Sequence, residues 1–283
     1  MQEFETNHTF APTRVLPFSW LERERLRYRL KARQTMPQSQ MLKPVFPNAR
    51  WTLCFIYLPS GGLIEAQRLL LSRIRTMNRH LLIVCAAPEP SSIPAELAGM
   101  ADALYWKALN GYDFSAYAVG LHAIADASPG AEVFVLNDSN FGPFYDLTPL
   151  LDAATWDLTG FSGSYQFENH VQSFAFLIRD VTQTRMQHLR SIFSTSFSYN
   201  DIMPVVMCFE TRFARIASRK MTVGSFWFGP NDGTDPSISH ALDLLEQGYP
   251  FLKRGLLGKH RGMQDEHRVR SALVSHGFSA AIL

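Results

Sequence analysis

Residues 131–145 read AEVFVLNDSNFGPFY, and the change of character inside this stretch decides the fold. Val133 to Leu136 is an unbroken apolar run with two valines and a phenylalanine, the pattern of a buried central strand. It stops abruptly at Asn137-Asp138-Ser139-Asn140, and Phe141-Gly142-Pro143 then turns the chain away. Polar groups at the C-terminal end of a buried strand sit where open α/β sheets hold ligands, in the crevice beyond the strand ends. An acidic residue there can engage a divalent cation and a diphosphate, because hard cations take oxygen ligands. An Asx-rich turn without a ligand is the competing reading.

Working outward, Trp51–Leu58 (WTLCFIYL) predicts a first strand, followed by Pro59-Ser60-Gly61-Gly62. Leu63, Ala66, Leu70, Ile74 and Met77 recur at helical spacing. His80–Ala86 predicts a second strand, Ala103–Trp106 a short third, and Asn110-Gly111-Tyr112-Asp113 the opening of a helix lined by Phe114, Tyr117, Leu121 and Ile124. Strand, helix, strand, short strand, helix, strand implies a parallel sheet with right-handed crossovers. Downstream, Pro149–Ala154 predicts a short helix, Val171–Ile178 (VQSFAFLI) another buried strand and Phe209–Lys220 a helix. Gly224–Phe228 resumes a strand, and Ser239–Gln247 is the last helix expected.

Hydrophobic residues make up 46% of the 283-residue chain and aromatic residues 12%, enough for a large core and against disorder. A formal charge of +2 is too mild to argue for nucleic acid. Cys54, Cys85 and Cys208 are odd in number and lie in apolar runs, as reduced, buried thiols of a cytoplasmic protein would. Residues 1–50 read as a basic helical extension. Trp20–Gln34 is helix-patterned, with Leu21, Leu26 and Leu30 loosely on one side and five arginines elsewhere. A helix resting on the next domain is one reading. The other, with Lys253–Arg261, is peripheral contact with an anionic inner-membrane surface or a lipid-linked substrate. The expected units are 1–50, a catalytic domain over 51–258, and a tail over 259–283.

Asp113 stands where a helix N-cap belongs, a role compatible with a second one at the sheet edge. Asp138 has no following helix to cap. Two acidic residues at two strand ends of one parallel sheet converge on a single crevice, which suits a sugar nucleotide with a metal-bound diphosphate. A dinucleotide site would want G-x-G-x-x-G after the first strand, and Pro59-Ser60-Gly61-Gly62 does not match.

Four segments, Gly111-Tyr112-Asp113-Phe114, Asn137-Asp138-Ser139 with Gly142-Pro143, His170 with Gln172-Ser173, and Pro250-Phe251-Leu252-Lys253-Arg254, resemble the rhamnan synthesis protein F family in order and spacing. These are glycosyltransferases that build bacterial rhamnose-rich polysaccharides, and the resemblance covers about residues 51–257. It implies an α/β, GT-A-like (Rossmann-related) fold, with a mostly parallel sheet flanked by helices. It also implies a nucleotide-sugar donor such as dTDP-rhamnose and a growing glycan, soluble or lipid-linked, as acceptor, in lipopolysaccharide-type biosynthesis. Donor contacts are expected from Asn110, Gly111, Tyr112, Asp113, Asn137, Asp138, Ser139, Gln172, Ser173 and Lys253. Asp138 is the expected ligand of a Mg2+ or Mn2+ ion, although Asn137-Asp138-Ser139 stands where the fold at large favours Asp-x-Asp. Family members also carry Arg and Asn shortly before Gly-Tyr-Asp, where this chain has Lys107-Ala108-Leu109-Asn110. An inverting transfer needs a base for the acceptor hydroxyl. Glu210, in Glu210-Thr211-Arg212-Phe213, resembles the acidic helix start that supplies it in inverting enzymes, and His170 is the second candidate. A sugar nucleotidyltransferase and a non-catalytic scaffold of a polysaccharide assembly complex are the alternatives.

Overall fold

The computed structural model describes residues 3–279; residues 1, 2 and 280–283 of the expected end segments lie outside it. The chain opens with β1 (Glu5–Thr9), α1 (Trp20–Lys31), β2 (Arg33–Thr35) and β3 (Ser39–Lys43). Next come β4 (Arg50–Tyr57), α2 (Glu65–Arg75), β5 (His80–Ala86), α3 (Ala95–Met100), β6 (Ala103–Lys107), α4 (Tyr112–Ala127) and β7 (Ala131–Asn137). β8 (Asn140–Phe141), α5 (Thr148–Asp152), β9 (Leu158–Ser164), β10 (His170–Val171), β11 (Ala175–Val181), α6 (Gln183–His188) and β12 (Phe197–Tyr199) follow. A continuous helical run then passes through α7 (Ile202–Val205), a π-helical turn (Val206–Glu210) and α8 (Thr211–Ala217). β13 (Val223–Phe228), α9 (Pro236–Ser239), α10 (Ala241–Glu246), β14 (Leu252–Lys253) and α11 (Glu266–Ser275) complete the described chain.

One sheet runs in the order β1-β13-β9-β11-β7-β4-β5-β6-β3, with β10 paired to β9. β4 lies parallel to β5 and β7, β5 to β6, and β9 to β13. β11 runs antiparallel between β7 and β9, so β4, β5, β6, β7, β9 and β13 all point one way. The fold class is the one the resemblance implied: α/β, GT-A-like, with a mostly parallel sheet flanked by helices. Alternation along the strands explains the layering, since successive side chains leave opposite faces. Trp51, Leu53, Phe55, Leu82 and Val84 join Phe114, Tyr117 and Leu121 of α4 in one core. Cys54, Ile56, Leu81, Ile83 and Cys85 join Leu70, Leu71 and Ile74 of α2 in the other. The three cysteines are free and buried, as their apolar neighbours foretold.

Several elements differ from their sequence pattern. Residues 1–50 hold the expected helix, and they also edge the sheet: β1 pairs with β13 and β3 with β6, both antiparallel. In α1, Leu26 and Leu30 stay exposed while Leu21 and Arg25 are buried, so the helix docks through one leucine and a charge and not through a leucine stripe. The run Val171–Ile178 is not one strand. It divides into β10 and β11 at a turn over Ser173-Phe174, although the Gln172 amide still donates to Ser162 O and Phe174 O still accepts the Asn137 amide. Beyond the expected last helix lies α11, whose Val269 and Leu273 pack with Phe141, Leu252 and Leu256. Among the described residues no helix is long and apolar enough to cross a membrane.

β9 (LTGFSGS) has the composition of a loop, yet it is buried along its whole length. Its small residues are a packing requirement: a Cβ on Gly160 would stand 2.2 Å from Val171 Cγ1. Valine is stiff at χ1 and cannot swing away, so β10 would have to move. Gly160→Ala should therefore lower Tm by about 2–6 °C, overpacking outweighing the loss of backbone freedom in the unfolded chain. Differential scanning calorimetry checks this, and an unchanged Tm would show that β10 yields freely.

Candidate active site

The carboxyl ends of β4, β6 and β7 open on a common crevice. β7 stays in the ladder through Asn137, and the Asp138 amide still donates to Phe55 O at 3.1 Å. The Asp138 carboxylate turns inward, and its Oδ2 accepts from the Tyr57 amide at 3.1 Å and from Gln67 Nε2 at 2.5 Å. Gln67 also reaches Tyr57 O and receives the Ile64 amide, so α2, β4 and β7 share one polar bracket. Burial raises the pKa of Asp138, opposed by Gln67 and by Arg254. Asn137 does build an Asx turn, accepting from the Ser139 amide and hydroxyl through Oδ1. Its Nδ2 donates at 3.0 Å to Asp113 Oδ2. The stretch is thus both a turn and a cluster.

Asp113 is not the cap of α4. Gly111 takes that place with φ 89°, and Asp113 sits in the first turn. Only glycine fits there: a Cβ on Gly111 would meet Pro37 Cγ at 2.6 Å, in a backbone region side chains avoid. Tyr112 follows with φ 51°, a strained conformation for a bulky residue. The Gly111 amide is held by Asn200 Oδ1 at 3.0 Å. Lys107, wholly buried, fastens the preceding loop by donating to Ala108 O at 2.9 Å and Asn110 O at 2.7 Å. Burial depresses its pKa to about 8. A cavity of about 480 Å³ lies here, lined by Tyr57, Leu109, Asn110, Gly111, Tyr112 and Asn200.

Two downstream segments close the crevice. β14 pairs with β8, bringing Lys253 opposite Asn140. The Arg254 amide donates to Ser139 O at 2.9 Å, and its guanidinium to Asp138 O at 2.8 Å. Gly142 allows this approach, since a Cβ there would lie 2.5 Å from Pro250 O. Lys253 Nζ stands 3.5 Å from the centre of the Phe174 ring. Burial lowers its pKa, while the charges of Asp235, Glu210 and Asp113 hold it up. Glu210 reaches the same place from the π-helical turn, Oε2 accepting the Ser173 amide at 3.0 Å and hydroxyl at 2.5 Å. It is therefore not a helix start, but lies inside a continuous helix at a widened turn. Burial, then the charge of Glu210, lifts the Asp113 pKa to about 6.

Asp113, Asn137, Asp138, Ser139, Ser173, Glu210 and Lys253 are thus joined by bonds or by mutual charge. Gln172 faces away from Glu210, bonding Ser162 and Asp235. His170 is buried with Nδ1 against Glu168 O at 2.9 Å, and no bond ties it to the cluster. Among the described residues no group of three or more His, Cys, Asp or Glu side chains is placed to hold a metal ion. The contacts to the Asp138 carboxylate all fall on Oδ2. That fits a cation arriving with a diphosphate, which needs one carboxylate and takes its other ligands from phosphate and water. It does not fit a cage built by the protein alone.

The family model for rhamnan synthesis protein F matches residues 81–272. The chain belongs to this family. The match starts inside β5 and runs into α11, later at both ends than the resemblance read from motifs. No curated protein matches the chain. Among solved structures, a 4-diphosphocytidyl-2C-methyl-D-erythritol synthase from Anaerococcus prevotii is 10% identical with a TM-score of 0.42, over 70% of this chain and 97% of that one. A nucleotide-diphospho-sugar transferase from Desulfovibrio desulfuricans is 10% identical with a TM-score of 0.37, over 79% and 96%. TarS from S. aureus is 10% identical with a TM-score of 0.38, over 82% and 44%.

All four motifs that mark this rhamnan synthesis protein F chain reach the crevice, the third through Ser173 and not through His170. Gln67 escaped sequence reading, although a glutamine inside the Leu63–Leu70–Ile74 stripe signals a buried polar partner. Arg254 stands in the fourth motif without a role of its own in the sequence, and Lys107 and Asn200 carried no comparable signal. The electrostatics give a pH dependence. Asp113 has a folded pKa of about 6 against an unfolded value near 4, so its contribution to stability is full below about pH 4 and fades as pH rises through 6. Urea unfolding should show a loss on the order of 3 kcal/mol from this group. Asp113→Asn should remove that part of the slope, and an unaltered slope would place the titration elsewhere.

Proposed function

We propose that the crevice binds a nucleotide-activated deoxyhexose, such as dTDP-rhamnose, and transfers the sugar with inversion to a hydroxyl of a growing bacterial surface glycan, free or lipid-linked. The observation that carries this reading is a carboxylate and an unpaired ammonium, Glu210 and Lys253, facing the Asp113–Asn137–Asp138 cluster. Tyr57 and Tyr112 are 43% and 39% exposed beside the cavity, where their rings offer the nucleobase an apolar face. The diphosphate then extends toward Asp138, Ser139 and Lys253.

Glu210 uses Oε2 for Ser173, which fixes the carboxylate and leaves Oε1 for the acceptor. As the acceptor oxygen attacks C1 of the sugar, its proton passes to Glu210. The bond from C1 to the phosphate oxygen breaks with its electron pair, and the nucleoside diphosphate leaves. Lys253 has no carboxylate in ion-pair reach among the described residues, so its charge is available to the departing diphosphate. A Mg2+ or Mn2+ ion brought by the donor would be held by Asp138 and would neutralise the same phosphates.

Glu210→Gln keeps the shape and the Ser173 bonds but removes the basicity. Its turnover should fall by about 10²- to 10⁴-fold, with donor affinity near that of the wild type. Asp138→Ala should instead weaken donor binding. Single-turnover assays and donor titration separate the two effects. Near-normal turnover in Glu210→Gln would pass the role to His170. A wild-type protein that releases no nucleotide from any donor would favour the non-catalytic scaffold.

A further inference from the structure

A dense group of arginines with no assigned role lies away from the crevice. A cleft of about 400 Å³ is walled by Arg29, Arg33, Arg190 and Arg212 above Phe197 and Tyr199, and no aspartate or glutamate lines it. It shares Arg190, Arg212, Gln187 and Ser191 with a wider trough that adds Arg185, Arg219 and Lys220. The one acid of that trough, Asp180, is engaged by Arg185 at 3.1 Å.

These guanidinium groups are poorly neutralised. Arg212 donates to Cys208 O at 3.0 Å and, among the described residues, has no carboxylate within ion-pair distance, Glu22 acting on it only through its charge. Burial and the nearby charges of Arg29, Arg215 and Arg25 press its pKa down to about 10. Arg29 lies 3.6 Å from Glu22, a carboxylate already engaged by Arg25 and Arg215. Arg33 stacks 4.0 Å over the Phe197 ring, with its charge acting on the neighbouring Tyr199 hydroxyl. Arg190 is exposed and has no bond or ion pair among the described residues. Crowding like charges without acids raises the energy of the folded state unless an anion settles among them.

We propose that this cleft binds a phosphate-bearing ligand. Several planar forks can share the oxygens of one phosphate group, whereas a single carboxylate satisfies about one fork. Serine and threonine hydroxyls at 194–196 border the same space, and the concave shape takes one head group and not a flat bilayer. Tyr199 belongs to this wall, while Asn200 beside it holds Gly111 at the crevice. Consecutive residues therefore line this cleft and the cavity beside Gly111. The site stands on its own charge and geometry, independent of the chemistry assigned to the crevice.

Inorganic pyrophosphate titrated calorimetrically into the full chain is the test, with Lys253→Ala silencing the crevice. Affinity should persist in Lys253→Ala and fall at least tenfold in Arg190→Glu and in Arg190→Ala/Arg212→Gln. Arg190→Glu alters an exposed residue, so its fold is not at risk. Flotation with phosphatidylglycerol vesicles, against phosphatidylcholine alone, identifies the source. Arginine-dependent flotation that pyrophosphate reverses marks a lipid phosphate, and pyrophosphate binding without flotation marks a free one. Binding lost in Lys253→Ala but kept in both arginine variants, or no binding in any protein, would overturn the proposal.

Discussion

A single buried guanidinium holds the N-terminal helix to the crevice. Arg25 is 0% exposed, and a charge so placed is tolerable only if every face finds a partner. Its Nε donates to Met207 O at 2.8 Å, Nη1 to Glu22 at 2.8 Å, and Nη2 to Thr211 Oγ1 at 2.6 Å and to Glu168. Met207 lies in the π-helical turn, where the wider winding alters the carbonyl ladder, and its oxygen receives this outside donor. The same turn presents Glu210. Helix α1 and the crevice carboxylate are therefore one mechanical unit, although 185 positions of numbering separate Arg25 from Glu210. A lysine could not replace this bracket, because a point charge lacks the planar fork.

The crevice is tuned by burial acting with opposite sign on acids and bases. Desolvation raises Asp113 and Asp138 and lowers Lys107 and Lys253, so both kinds of group are drawn toward neutrality. A diphosphate entering such a place strengthens the protonated form of the lysines and the neutral form of the acids. Arg254, bonded to the backbone of Asp138 and Ser139, fixes the geometry in which this balance operates.

The central parallel strands were legible because they are long, apolar and separated by clear helical periodicity. β9 was not, since LTGFSGS has low β-propensity and is strand only because close neighbours leave room for little else. β11 was half-read: its apolar residues stood out, but nothing local announces the turn at Ser173-Phe174 that precedes it. Asp113 and Asp138 came from their places at two strand ends, Glu210 and Lys253 from motif resemblance, and the structure brings them to one crevice. Arg25 was invisible. An arginine in a basic helix looks solvated until Glu168 and Met207, far along the chain, are placed around it. The cap of α4 was misread by two residues, because a positive φ at Gly111 is a backbone property that Asp113 mimics in sequence.

Both edges of the sheet belong to the same early segment, with β1 on β13 and β3 on β6. Glu5 pairs with Phe228, so the first strand has no partner until about 220 further residues have been made. At about 5–20 residues per second a ribosome takes roughly 10–45 s over that interval. During it, β1 must stay unpaired in a crowded cell without joining a neighbour's edge. Its composition suits that wait: ETNHT is short and polar, and SQMLK of β3 is exposed throughout and ends in lysine, features that discourage stray pairing. Polar edge strands are thus a safeguard for the nascent chain as much as a border of the finished one.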